Sequence, residues 1–143
     1  MEPSHPKWNP LVPELTVRDL KRSLDFYGCV GFTVRFKRED PPFAYLELGG
    51  AQIMLEEENG SDWTTAPLEV PFGRGINFQI EVPSAIGVRD ALVRSGYTVF
   101  REPRERWFEV SDEEEGQIEV LAHDPDGYLL RLAEILGARP RRQ

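Results

Sequence analysis

The sequence predicts an α+β protein made of two tandem βαβββ modules that form a curved, cleft-bearing mixed sheet. Three observations predict it. The chain repeats itself, since Gly31-Phe32-Thr33-Val34 returns as Gly96-Tyr97-Thr98-Val99 at an offset of 96 − 31 = 65, where Leu11 also meets Ile76, Leu15 meets Ile80, Val17 meets Val82 and Asp25 meets Asp90. Each half opens with an apolar alternation of period two and passes to apolar residues at helical spacing. Each half closes with two apolar runs around strong turn residues.

Taken in order, Leu11 to Arg18 alternates as a half-buried strand does, and Asp19 stands where a helix N-cap belongs. Asp19 to Cys29 places Leu20, Leu24 and Tyr27 on one helical face, and Gly31 closes the helix. A strand follows from Phe32 to Phe36, then a hairpin from Phe43 to Leu48 and Gln52 to Glu57 around Gly49-Gly50. Asn59 to Gly75, rich in Gly, Pro, Ser and Thr, reads as the linker. The second half repeats the order. It has a strand from Ile76 to Val82, an N-cap at Ser84, a helix to Arg94 with Val88, Ala91 and Leu92 inward, Gly96 as its close, and a strand from Tyr97 to Arg101. Glu102 to Glu115 reads as a long charged loop, and Gln117 to Ala122 with Tyr128 to Leu132 as a hairpin around Asp124-Pro125-Asp126-Gly127. Residues 1–10 and Gly137 to Gln143 read as tails, the latter basic through Arg139, Arg141 and Arg142. The expected organisation is one domain over 1–143, with module 1 at about 11–58, a linker at 59–75 and module 2 at about 76–135.

A chain of 143 residues can bury about 68% of its unfolded surface, enough for a core without metals or disulfides. With 40% hydrophobic and 29% charged residues, disordered and collagen-like classes are excluded. No apolar run approaches a membrane span, and MEPSHPKWNP lacks the features of a secretory signal, so a cytoplasmic location is expected. The single cysteine, Cys29, excludes an intrachain disulfide and reads as a small buried hydrophobe. A net charge of −8 argues against nucleic acid and anionic membrane as partners. It either favours a small cationic ligand or serves solubility alone. One helix per half covers one face of the sheet, so the other face must curl around a ligand or pair with another chain.

Few residues offer catalytic chemistry. His5 sits in a Pro-rich tail and His123 abuts a turn, which is a poor start for a metal site that wants several convergent ligands. No serine stands in a Gly-x-Ser-x-Gly elbow, and Gly73-Arg74-Gly75 reads as a turn rather than a phosphate loop.

The paired modules, the segment Leu15-Thr16-Val17-Arg18-Asp19 with Phe26-Tyr27 and Gly31-Phe32, and the closing Asp124-Pro125-Asp126-Gly127-Tyr128-Leu129-Leu130-Arg131-Leu132 resemble the vicinal oxygen chelate superfamily over about residues 11 to 135. That superfamily holds glyoxalase I, extradiol dioxygenases, fosfomycin-resistance enzymes and bleomycin-resistance proteins, so the resemblance implies the glyoxalase/bleomycin-resistance fold. Its metal-dependent members place ligands on the first and last strands of each module, positions that fall here on Val12, Met54, Asn77 and Arg131. Hydrocarbon, thioether, amide and guanidinium do not make a divalent-metal site, so no metal or other cofactor is expected.

The asparagine and arginine instead resemble the metal-free bleomycin-resistance branch, which implies a homodimer that sequesters a bulky aromatic cation without changing it. The expected ligand-binding residues are Met54, Glu56, Trp63, Asn77, Gln79, Trp107, Phe108, Glu119 and Arg131, with Phe36, Phe43 and Tyr45 as further aromatics near the cleft and no catalytic residue. A Trp-Gly pair common in that branch reads Glu115-Gly116 here, and the acidic run from Glu109 to Glu115 is either a cation-attracting lid or a solvated loop. Two alternatives remain: an enzyme of the same superfamily with a metal held by residues such as Glu56 or Glu134, and a ligand-sensing regulatory protein. Arg131, between Leu130 and Leu132, is expected to project into the cleft, with Glu56, Gln79 or Glu119 as partners.

Overall fold

The computed structural model describes residues 7–141. Module 1 runs β1 (Glu14–Val17), α1 (Leu20–Val30), β2 (Thr33–Glu39), β3 (Pro42–Leu48) and β4 (Ala51–Glu57), and module 2 runs β5 (Asn77–Glu81), α2 (Ala85–Arg94), β6 (Arg101–Val110), β7 (Glu113–His123) and β8 (Leu129–Pro140). Two four-stranded mixed sheets result, ordered β1-β4-β3-β2 and β5-β8-β7-β6. In each, the first strand lies parallel to the last and the remaining pairs are antiparallel. No helix among the described residues is long and apolar enough to cross a membrane.

The helices start where their caps dictate. Asp19 accepts the Arg22 N–H at 3.1 Å, and Ser84 Oγ accepts that of Gly87 at 2.9 Å, each satisfying a donor the first turn leaves free. Glu57 and Glu134, at the ends of their modules' hairpins, accept the first helical N–H groups of Leu20 and Ala85 at 3.0 and 3.1 Å. Leu15, Val17, Leu46 and Leu55 of one sheet and Ile80, Val120, Leu130 and Leu132 of the other share one core with Phe26, Tyr27, Val30, Val88 and Leu92 of the helices. Each such side chain contributes about 1.5–3 kcal/mol by leaving water. Cys29 is half-buried against that core, 3.3 Å from Ser95 Oγ.

The Asp124-Pro125-Asp126-Gly127 turn joins the modules. Asp124 accepts N–H groups from Asp126 and Tyr128 at 2.9 and 3.0 Å and the Tyr27 hydroxyl at 2.7 Å. Asp126, fully buried, takes Arg18 Nε at 2.7 Å, while the Tyr128 hydroxyl donates to the Thr16 carbonyl at 2.9 Å. Burial holds the Asp124 carboxyl above its ordinary range against those hydrogen bonds. Burial, and then the Asp124 charge, push Tyr27 well up and Tyr128 up to about 12. Gly127 has φ +101°, and a Cβ there would lie 2.5 Å from Pro71 Cα, so the turn admits only glycine.

The structure departs from the sequence reading in four places. Glu102 to Glu115 is mostly paired strand, a hairpin of β6 and β7 that β8 extends to Pro140, so the residues from Gly137 are not a tail until Arg141. On this arm Trp107 lies over Gly116, Arg139 stands 3.7 Å from the Trp107 ring, and Glu114 holds Arg139 at 2.9 Å. The strand expected over Tyr97 to Arg101 begins only at Arg101. At the other end residues 7–10 are docked: the Trp8 ring is 4.7 Å from that of Tyr45, and Asn9 bonds Gln52 and the Gly50 carbonyl at 2.8 and 2.7 Å. Last, Glu134 stands on the helix side of β8, where it accepts the Ala85 N–H at 3.1 Å, and does not face the cleft. His5 and Arg142 lie outside the described residues.

Candidate functional site

Strand alternation sends one set of side chains toward the helices and the other to the helix-free face. In module 1 the register aligns Glu14, Met54, Tyr45 and Phe36 in one row and Thr16, Glu56, Phe43 and Arg38 in the next. Phe36 stacks on Tyr45 at 5.5 Å, and Arg38 sits 4.0 Å over Phe43. This face is therefore an aromatic platform with Glu14 and Glu56 beside it. Burial first, and then the neighbouring Glu56 charge, raise the Glu14 carboxyl, with Arg38 opposing.

The helix-free face of module 2 is built from different chemistry on the same frame. Gln79, Arg131, Leu121 and Arg101 share one row, and Ala133, Glu119 and Arg104 the next. Arg131 donates through Nε to Asn77 Oδ1 at 2.7 Å, and its Nη1 stands 4.0 Å from Glu119. Glu119, 2% exposed, accepts from Arg106 at 3.2 Å and from Gln117 at 2.8 Å, while Gln117 also reaches Gln79 at 3.3 Å. A carboxylate this deep is tolerable because its oxygens are paired with a guanidinium and an amide. Phe108 lies under Arg106 at 4.8 Å, closing the network at the arm.

Of the residues singled out from the sequence, the structure gathers Asn77, Gln79, Phe108, Glu119 and Arg131 on this second face and Met54 and Glu56 on the first. The Arg131 partners are Asn77 and Glu119; Glu56 belongs to the other sheet. Trp63 stands 72% exposed in the linker, and Trp107 lies on the helix side of the arm, its Nε1 donating to Glu105 at 2.9 Å. Val12 precedes β1, and the residue beside Met54 is Glu14. The alternation that buries Leu15 and Val17 already puts Glu14 and Thr16 on the opposite face, a signal sufficient to find Glu14. Arg106 was hidden in a segment whose charge reads as loop, and Gln117 opens an expected strand without being singled out.

A metal of the kind the fold's enzymes use does not fit these residues. Asn77 Oδ1 is occupied by Arg131, whose positive charge stands where a carboxylate or imidazole is needed. Among the described residues no three His, Cys, Asp or Glu side chains converge.

The sequence profile described as the Glyoxalase/Bleomycin resistance protein/Dioxygenase superfamily matches residues 9–132. The chain belongs to this superfamily. Solved structures of similar fold include a hypothetical protein from S. aureus, at 18% identity and TM-score 0.66 over 90% of this chain and 95% of that one. A bleomycin-binding protein complexed with bleomycin aligns at 22% identity and TM-score 0.57 over 89% and 98%. A fosfomycin resistance protein from Listeria monocytogenes aligns at 17% and 0.58 over 87% and 90%. No curated protein sequence matches the chain significantly. At these identities the likeness shows the glyoxalase superfamily fold, and the ligand has to be argued from the faces themselves.

Proposed function

We propose that the chain binds and sequesters a small aromatic cation, without a metal and without transforming it, between the first face of one copy and the second face of another. The observation that carries this reading is the Arg131–Asn77 hydrogen bond in the place of a metal site, beside the linked Glu119, Arg106 and Gln117. Phe36 and Trp8, which lie over the buried Phe43 and Tyr45, offer ring surfaces, and Glu14 and Glu56 beside them favour a positive charge. Met54 supplies a soft contact in the same row as Tyr45. Across the cleft Arg131, Asn77, Gln79 and Phe108 supply donors and one more ring.

The first face has a small acidic excess, Glu14, Glu47 and Glu56 against Arg35 and Arg38, and the second is balanced, with Arg101, Arg104, Arg106 and Arg131 against Glu81, Glu113, Glu115 and Glu119. Two copies of the first face would repel weakly, and its excess suits a cation. The bleomycin-binding protein of like fold gives a first ligand to try. Calorimetry with bleomycin is expected to give saturable heat, and the protein to protect DNA from bleomycin cleavage; neither heat nor protection would reject drug sequestration.

A further inference from the structure

The two modules share the tetrad Gly-aromatic-Thr-Val after their helices but use it differently. In module 1 Thr33 and Val34 pair with Glu47 and Leu46 at once. In module 2 Thr98 and Val99 make no main-chain hydrogen bond among the described residues, and pairing resumes with Phe100 N–H on the Leu121 carbonyl at 2.7 Å. Where the strand stands off the sheet there is a pocket of about 490 Å³ lined by Arg22, Tyr97, Thr98, Val99, Phe100, His123, Asp124 and Pro125. It lies at the seam of the modules, between α1, the α2–β6 connection and the β7–β8 turn, and is lined by none of the residues described above on the two helix-free faces.

Its lining suits one kind of guest. Tyr97, Val99, Phe100 and Pro125 are apolar walls, and the Phe100 side chain is largely exposed, edge-on to His123 at 4.9 Å. The volume falls in the usual range of small-molecule sites. Among the polar groups, Asp124 has its oxygens filled by Tyr27 and two main-chain N–H groups. Arg22 has only a 3.6 Å ion pair with Asp126 and no side-chain hydrogen bond, and His123 has none either among the described residues. Two side chains able to donate to an anion thus stand beside aromatic walls, and the unpaired main chain of Thr98 and Val99 lines the same pocket.

We propose that this seam pocket is a second binding site, for a small aromatic molecule bearing a carboxylate or phosphate held by Arg22, His123 and the main chain at Thr98 and Val99. Such a guest replaces the missing strand pairing with its own acceptors and fills the gap with its ring. Occupancy ties α1 of one module to the α2–β6 connection of the other, on the same side as the Asp124–Tyr27 joint.

Nuclear magnetic resonance titration of the full-length chain tests it, with benzoate and phenyl phosphate as separate probes and benzyl alcohol as the uncharged control. Saturable shifts of the Thr98, Val99, Phe100 and His123 amides are expected with at least one anion and none with the alcohol; whichever anion binds names the group. Arg22→Gln is expected to weaken binding by about fivefold or more, the scale of a lost charge-assisted hydrogen bond. Because Arg22 also faces Asp126, His123→Gln is the second variant; among the described residues the His123 side chain makes no hydrogen bond or ion pair with the joint, and its loss is expected to weaken binding as well. Shifts equal for the alcohol and the anions, shifts confined to Asn77, Gln79 and Arg131, no saturation, or unchanged affinity in both variants would overturn the site.

Discussion

Modules 1 and 2 place their helices, strands and caps alike, down to Glu57 and Glu134 closing the first turn of each helix, yet their helix-free faces have little in common. The first is an aromatic stack in which Phe43 and Tyr45 are buried by Phe36, Arg38 and Trp8. The second is a polar net in which buried Glu119 is held by Arg106 and Gln117. What repeats is the face toward the helices, because both modules bury it in one core. The outward faces are released from that constraint and carry whatever chemistry a ligand or partner requires.

The comparison breaks most visibly under substitution. Phe43→Ala empties a buried position, and a loss of about 3–5 kcal/mol in urea unfolding is expected even though the side chain lies outside the main core. Arg131→Leu, at a partly exposed position of the other face, is expected to leave stability nearly unchanged while weakening a verified ligand by about 1–3 kcal/mol, the worth of a charged hydrogen bond. If instead Arg131→Leu costs as much stability as Phe43→Ala, the second face is structural too. Between the modules, the raised Asp124 carboxyl sets a pH signature. The folded chain keeps that proton to higher pH than the unfolded one, so its contribution favours folding below the ordinary 3.8 and is lost as pH rises through the raised value. The stability of the parent relative to Asp124→Asn is therefore expected to fall as pH rises through that window; a difference independent of pH would show that burial does not govern the joint. The smallest effect belongs to Trp63→Ser: within about 0.5 kcal/mol in stability, as for exposed sites generally, and no change in ligand affinity. A loss of affinity there would bring the linker into the site.

How much the sequence disclosed follows the same division. Helix caps and core strands were legible because Leu15 and Val17, or Leu130 and Leu132, alternate against polar neighbours on a half-buried strand. That alternation also placed Arg131 correctly opposite Leu130 and Leu132. The arm of β6 and β7 was not legible, because much of both its faces meets water and its charged residues pair across strands instead of alternating with apolar ones. The contacts of Trp8 with Phe36 and Tyr45 join residues far apart in sequence, and nothing local to Trp8 announces them. The seam pocket arises from strand pairing lost after a tetrad that matches its counterpart in kind, so no residue type at those positions marks it.

Unlike faces from two copies can meet across one cleft only in a dimer, and sedimentation equilibrium at micromolar concentration measures that state. A mass twice that of the 16.4 kDa chain is expected. A single species at the mass of one chain would contradict it, leaving each face to bind, if it binds at all, alone.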